Sequence, residues 1–144
     1  MNNIKGVGEV IKALEAIGED IKSPELQGIL RTEGQRVIDT AKALVPVDTG
    51  DLRDSIGYVT SKDGQNLDKV LIGPRKSFYN SYLAPMFEYG TEPRLIKSGA
   101  YRGIIKPKPF LRPALDQNKN AVVNGVNNGI SKLVTKLAKK NKLI

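Results

Sequence analysis

Few side chains in this sequence could carry covalent chemistry. There is no Cys and no His, which excludes disulfides, thiolate nucleophiles, Cys or His zinc sites and imidazole acid–base catalysis. The remaining candidates are carboxylates. Asp48, Asp51 and Asp54 recur three residues apart, and Glu88 stands between Phe87 and Tyr89. Two of the three aspartates could share a Ca²⁺ or Mg²⁺ through oxygen ligands, but on a short helical turn such acids more often act as caps and dipole partners. A carboxylate between two aromatic rings, as Glu88 is, needs a partner or its pKa rises, and Arg53 and Arg94 are candidates. Hydrolysis would require Glu88 and Asp48 to converge; a structural ion pair or a helix-end hydrogen bond is the preferred reading. No Gly-Lys-Ser or Gly-Lys-Thr phosphate loop and no Gly-x-Ser-x-Gly elbow is present. The expectation is therefore no catalytic residue, no metal and no cofactor.

The elements that must position these acids meet at residues 45–56. Val7, Val10, Ile11, Leu14 and Ile17 recur at helical spacing, with Gly18 as the stop. Ser23-Pro24 then signals a second start. Leu26, Ile29, Leu30, Val37, Ile38, Ala41, Leu44 and Val45 trace one stripe up to Pro46, which cannot continue a helix. Gly28 and Gly34 weaken that helix and mark close packing against another element. After Pro46, Asp48 reads as the N-cap of a short helix, with Asp51 three residues on as a second acceptor. Gly50 supplies a φ other residues avoid, and Leu52 and Ile56 can pin one turn to a core.

Ile56–Thr60 and Leu67–Ile72 read as strands of an antiparallel hairpin around the turn Lys62–Asn66, stopped by Gly73-Pro74. More strand content is expected near Ile104-Ile105. Pro85 and Gly90 frame a short helix. The cluster Phe78, Tyr79, Tyr82, Phe87 and Tyr89 is expected to be core with polar tips at the surface; a base-stacking platform is the other use of such rings. Residues 91–108 form a long basic loop expected to extend from the body and order on a neighbour or on DNA. Leu111, Leu115, Val122, Val126, Ile130, Leu133 and Leu137 then repeat at helical spacing, with Pro113 in the first turn. Asn124-Gly125 and Asn127-Asn128-Gly129 could break this helix in two, with a basic second part at Ile130–Lys140, but the stripe keeps phase through them, so one continuous helix over 110–142 is the preferred reading.

The fold class is therefore α+β, a β-hairpin or small sheet packed by a long N-terminal and a long C-terminal helix. The 144 residues fit one domain. Its parts are helices at 6–45, the central motif and hairpin at 46–73, a short helix and basic loop at 74–108, and the last helix. The net charge is +8, placed unevenly: acids outnumber bases before Ser55, and no acid follows Asp116. Such asymmetry points to an acidic partner surface or to nucleic acid. Absence of Cys fits a reducing compartment. No apolar run reaches the roughly 20 residues that span a bilayer, and the N-terminus lacks a signal-peptide core.

Three stretches also resemble a known family. Pro46-Val47-Asp48-Thr49-Gly50 with Leu52-Arg53 and Ser55-Ile56, then Phe87-Glu88-Tyr89-Gly90-Thr91, then Lys108-Pro109-Phe110-Leu111-Arg112-Pro113-Ala114-Leu115 look like a tail-component family of lambda-like long-tailed bacteriophages. The resemblance implies a structural virion protein of the neck, assembled in the host cytoplasm. It further implies a homo-oligomeric ring, a hexamer or dodecamer, that joins or completes the tail beside head-connector and tail proteins. On that reading Pro46, Asp48, Thr49, Gly50, Leu52, Arg53, Ser55, Glu88, Gly90, Thr91, Pro109, Phe110 and Pro113 shape the subunit. Arg94, Lys97, Arg102, Lys106, Lys108, Lys132, Lys136 and Lys139 would contact a neighbouring subunit or genomic DNA. The alternative reading is a basic nucleic-acid-binding module acting through 94–142.

Overall fold

The structure is a computed structural model that describes Lys12, Glu15, Ala16, Gly18 and residues 24–59 and 69–140. Two long helices flank a small sheet: α1 (Pro24–Leu44), α2 (Asp51–Ser55), β1 (Ile56–Val59), β2 (Leu71–Pro74), a 3₁₀ turn (Ser81–Leu83), α3 (Ala84–Tyr89) and α4 (Leu111–Lys140). The architecture is α+β, as the periodicities predict. Most of the first predicted helix, the Ser23 cap and the 62–66 turn lie outside the described residues, among which Gly18 is itself helical.

α1 begins on Pro24, whose missing N–H costs nothing in a first turn. It ends at Leu44, before Pro46. Its predicted stripe buries Leu26, Val37, Ile38 and Ala41, with Val45 just beyond the last turn, but leaves Leu44 exposed. α4 runs antiparallel to it. Thr40 near the end of α1 accepts from Asn118 near the start of α4 at 2.8 Å, and Glu25 meets Lys136 at the opposite ends, also at 2.8 Å. The Asn/Gly patch stays helical because this approach needs it. A Cβ at Gly125 would run into Glu33, and one at Gly129 would come within 2.5 Å of Ile29 Cγ2. The glycines trade helix propensity for close packing. Beyond them Leu133 and Leu137 make a satellite cluster with Ile29. Leu115, predicted inside, is exposed.

The principal core gathers Val37, Ile38, Ala41, Val45, Leu52, Ile56, Ala84, Phe110 and Ala114, drawn from every layer. The sheet differs from its sequence reading. β1 and β2 pair antiparallel with Ile56 opposite Pro74 and Val59 opposite Leu71, so β2 starts after the predicted position, and Gly73 and Pro74 belong to it. Arg75 N–H donates to Ser55 O at 2.9 Å, making that a hydrogen-bonded pair. Such pairs alternate in an antiparallel ladder, so Pro74 falls in a pair that asks no donor of it. Gly57 faces Gly73, and the Arg75 side chain crosses over Gly57, 3.1 Å from where its Cβ would stand. Gly34 of α1 is covered by Ile72 and Tyr58 of the sheet, whereas Gly28 meets nothing within 4 Å. Tyr58 O–H donates to Arg31 O, and the Arg31 guanidinium stands 5.4 Å from the Tyr58 ring centre.

Candidate functional site

The central motif is a corner between α1 and the sheet. Gly50, not Asp48, is the N-cap of α2, in the left-handed region at φ 95° and ψ −14°. Asp48 is exposed and caps nothing. The reason is length: with Pro46 closing α1 and Gly50 turning the chain, α2 starts only at Asp51, two residues later than a cap at Asp48 would set it. Asp51 instead accepts from Thr49 Oγ1 at 2.6 Å and from Asn80 Nδ2 at 3.2 Å, which ties the corner to the 3₁₀ turn. Leu52 is buried in the core. Ser55, fully buried, donates to Leu52 O at 2.6 Å and so satisfies a backbone acceptor. Arg53 pairs with Asp54 at 3.0 Å on the surface.

Arg75 closes the other end of α2, a role no sequence signal announced. Its guanidinium donates to Ser55 O at 3.2 Å and Asp54 O at 2.8 Å and lies 4.4 Å from the Phe78 ring centre. A cation there answers carbonyls that a five-residue helix leaves open.

Glu88 is the second anchor. It is buried, and one carboxylate oxygen accepts from Phe110 N–H at 2.9 Å and Leu111 N–H at 3.0 Å, while the other accepts from Arg112 N–H at 3.0 Å. The next residue, Pro113, has no N–H. All orphan donors at the start of the 30-residue α4 are therefore answered by one side chain or do not exist. Burial alone would raise the Glu88 pKa, but the three backbone hydrogen bonds and the Arg112 charge outweigh it and hold the carboxyl below its ordinary 4.5. The helix-end reading of Glu88 thus describes it, and neither Arg53 nor Arg94 is its partner. Pro109, at the surface, leads into Phe110, which is 0% exposed and seats α4 on the core.

Between these anchors the chain leaves the body and returns. Residues 91–108 are not a loose loop. Thr91 N–H donates to Ile105 O at 3.0 Å, Arg94 N–H to Gly103 O at 3.1 Å, Arg102 N–H to Arg94 O at 2.6 Å, and Ile96 N–H to Ala100 O at 3.0 Å. Leu95 bridges Tyr101, and the tip turns at Lys97-Ser98. The expected strand at Ile104-Ile105 is replaced by this narrow ladder. Its root is clamped. Gly90, at φ 78°, lies so close that a Cβ would stand 2.9 Å from Pro107 Cδ, Lys108 N–H donates to Phe87 O at 2.7 Å, and Thr91 Oγ1 accepts from Ile105 N–H at 3.0 Å. The result is an arm.

Leu95 and Tyr101 are cross-strand neighbours and share one face of the arm, so Arg94 and Arg102 take the other. Leu95 is 66% and Tyr101 65% exposed. Arg94, Lys97, Arg102, Lys106 and Lys108 are exposed and make no ion pair among the described residues. Lys132 and Lys139 of α4 are likewise exposed, whereas Lys136 is held by Glu25.

The aromatic cluster was expected inside and is mostly outside. Tyr79 is 80% and Tyr82 62% exposed, and Tyr89 is exposed as well; only Phe87 packs against the core. The turns of this segment give their inward face to Ala84, Phe87 and Glu88, which leaves the tyrosines to the surface. With Pro74, Phe78 and Pro85 the first two line an open depression of about 770 Å³. Among the described residues no group of three acids could hold a metal ion, and no helix is long and apolar enough to cross a membrane.

A carboxylate that caps a helix, a pinned arm and a wet aromatic surface are carried on a small α+β fold. The family described as "Bacteriophage HK97-gp10, putative tail-component" matches residues 8–90, more than half of the chain, and the protein belongs to that family. The match includes the 46–56 motif and the Glu88-Tyr89-Gly90 anchor. No curated protein and no solved structure matches the chain. Its role is that of a structural tail component of the phage virion.

Proposed function

We propose that this protein is the repeated subunit of a ring at the neck of a long-tailed phage, where it joins or completes the tail at the head–tail interface. The supporting observation is the arm. A single chain gains nothing from a narrow two-stranded projection whose leucine, isoleucine and tyrosine side chains lie in water. Yet the root is fixed by backbone hydrogen bonds and by a glycine at φ 78°. A rigid root with an unsatisfied surface is the form of an element that buries itself on something else. In a closed ring that something is the adjacent copy, because a heterologous interface asks for two different patches on every subunit. The basic second half and the mildly acidic first half of the chain would set register more than affinity.

The test is size exclusion with light scattering, followed by electron microscopy of the purified protein. Rings support the reading, and a chain that stays monomeric at high concentration and does not join particles assembled without it refutes it. The cationic face of the arm supports a second reading, contact with DNA through 94–142. Binding measured at two salt levels separates the two, since phosphate contacts weaken steeply with salt.

A further inference from the structure

Among the described residues, two apolar surfaces of different shape stand without a partner. One is the arm's Leu95/Tyr101 face. The other is the depression lined by Pro74, Phe78, Tyr79, Tyr82 and Pro85. It continues past Asn80 into a smaller cavity of about 160 Å³ lined by Val47, Asp48 and Leu83 among others. No arm residue lines either cavity. The clamp of Gly90 on Pro107 and of Lys108 on Phe87 fixes the arm on its own subunit.

We propose that the arm of one copy lies in the tyrosine groove of the next, with its Leu95/Tyr101 face against Tyr79 and Tyr82. This rests on the ring reading and names the surface that makes it. The charges agree. Asp48 stands at the smaller cavity, exposed and without an ion pair among the described residues, and Asp51 lies beside it on Asn80. Lys76 is the cation of the groove itself; Arg53 and Asp54 answer each other, and Arg75 is held by the carbonyls of α2. The arm brings five cations and, at its root, the single acid Glu92. The basic arm would be drawn toward Asp48 and repelled by Lys76, which biases how it lies in the groove. A groove that is apolar with an acidic end, facing an arm that is apolar on one side and basic on the other, is two complementary patches on one chain. That is what a head-to-tail contact needs; a two-fold dimer would pair the same patches reciprocally and would stop at the dimer.

The protein has no cysteine, so introduced thiols are the only ones present. Tyr101→Cys and Tyr82→Cys variants, and separately Leu95→Cys and Tyr79→Cys, are mixed pairwise and joined with a short flexible thiol cross-linker. The expected result is a covalent dimer in the mixture that neither single variant gives, and a ladder of multimers when both substitutions share one chain. In parallel, Leu95→Asp with Tyr101→Asp should convert rings to monomers of unchanged circular dichroism. Rings by light scattering with no mixed dimer from either pair, and rings that survive the Asp variant, would overturn the docking proposal and leave the ring intact. An absence of rings in the unmodified protein would overturn both. If the Asp variant keeps its rings but loses DNA binding, the apolar face belongs to nucleic acid and the proposal fails.

Discussion

At the residue scale two backbone positions and one carboxylate hold the design. Gly50 at φ 95° turns α1 into α2, and a Cβ there would also stand 3.2 Å from an Arg53 nitrogen. Gly50→Val should therefore cost about 1–3 kcal/mol, read as a lower midpoint in urea; an unchanged midpoint would rule out the left-handed corner. Gly90 at φ 78° plays the matching part at the root of the arm. Glu88 holds α4 by three N–H groups. Glu88→Ala leaves one buried and two part-buried donors without that acceptor and should cost about 1–3 kcal/mol. Its pH dependence has a definite sign. The folded-state pKa is held below the ordinary 4.5, so the folded state favours the ionised carboxylate. The stabilisation is complete above the unfolded value and is lost as pH falls from there through the folded value. Urea midpoints measured from about pH 7 down to about pH 3 should drop in that acid window for the native chain. Glu88→Gln should be weaker at neutral pH and flatter across the window. An identical acid slope in both would mean that Glu88 does not titrate with folding.

At the element scale, Phe110 is the pin between α4 and the body. It is fully buried among residues of α1, α2, β1 and α3, and Phe110→Ala should cost about 3–5 kcal/mol, measured by thermal or urea unfolding. A negligible effect would mean that α4 gains its hold elsewhere along its length. Both long helices were legible in the sequence because an apolar stripe of period 3.6 over many residues has few other uses. The continuity of α4 was legible for the same reason, although its glycines taken singly argue for a break. What was hidden depends on partners far along the chain. Gly73-Pro74 reads locally as a stop, and only the pairing of Gly57 with Gly73 shows why it can be a strand. The cap at Glu88 acts on residues 22 to 24 positions away, beyond any local capping pattern. Tyr79 and Tyr82 carry the composition of core. Their exposure follows from which side of a 3₁₀ turn and a six-residue helix faces Ala84, Phe87 and Glu88, and short elements have too few turns for a period to declare itself.

At the scale of the whole molecule, the arm divides its labour between two faces, and that division can be tested without breaking the fold. On the docking proposed above, the Leu95/Tyr101 face would bury area on a neighbour, which governs how long a contact lasts. The Arg94/Arg102 face offers charge, which governs how fast it forms and how salt affects it. All four side chains are exposed, so substitution should leave stability within about 0.5 kcal/mol. Arg94→Glu with Arg102→Glu should slow assembly at low salt, with the difference from the native protein shrinking as salt is raised toward about 1 M. The final assembly state should be retained. Should the native protein bind duplex DNA, the same pair should also lower the slope of log affinity against log salt, by about 1 for each phosphate that is no longer neutralised. Light scattering followed in time after dilution from a dissociating buffer reads the first effect, and DNA retention at a series of salt concentrations reads the second. If the arginine pair abolishes the final assembly at every salt level, its charges are part of the buried contact, and the two faces are not separable.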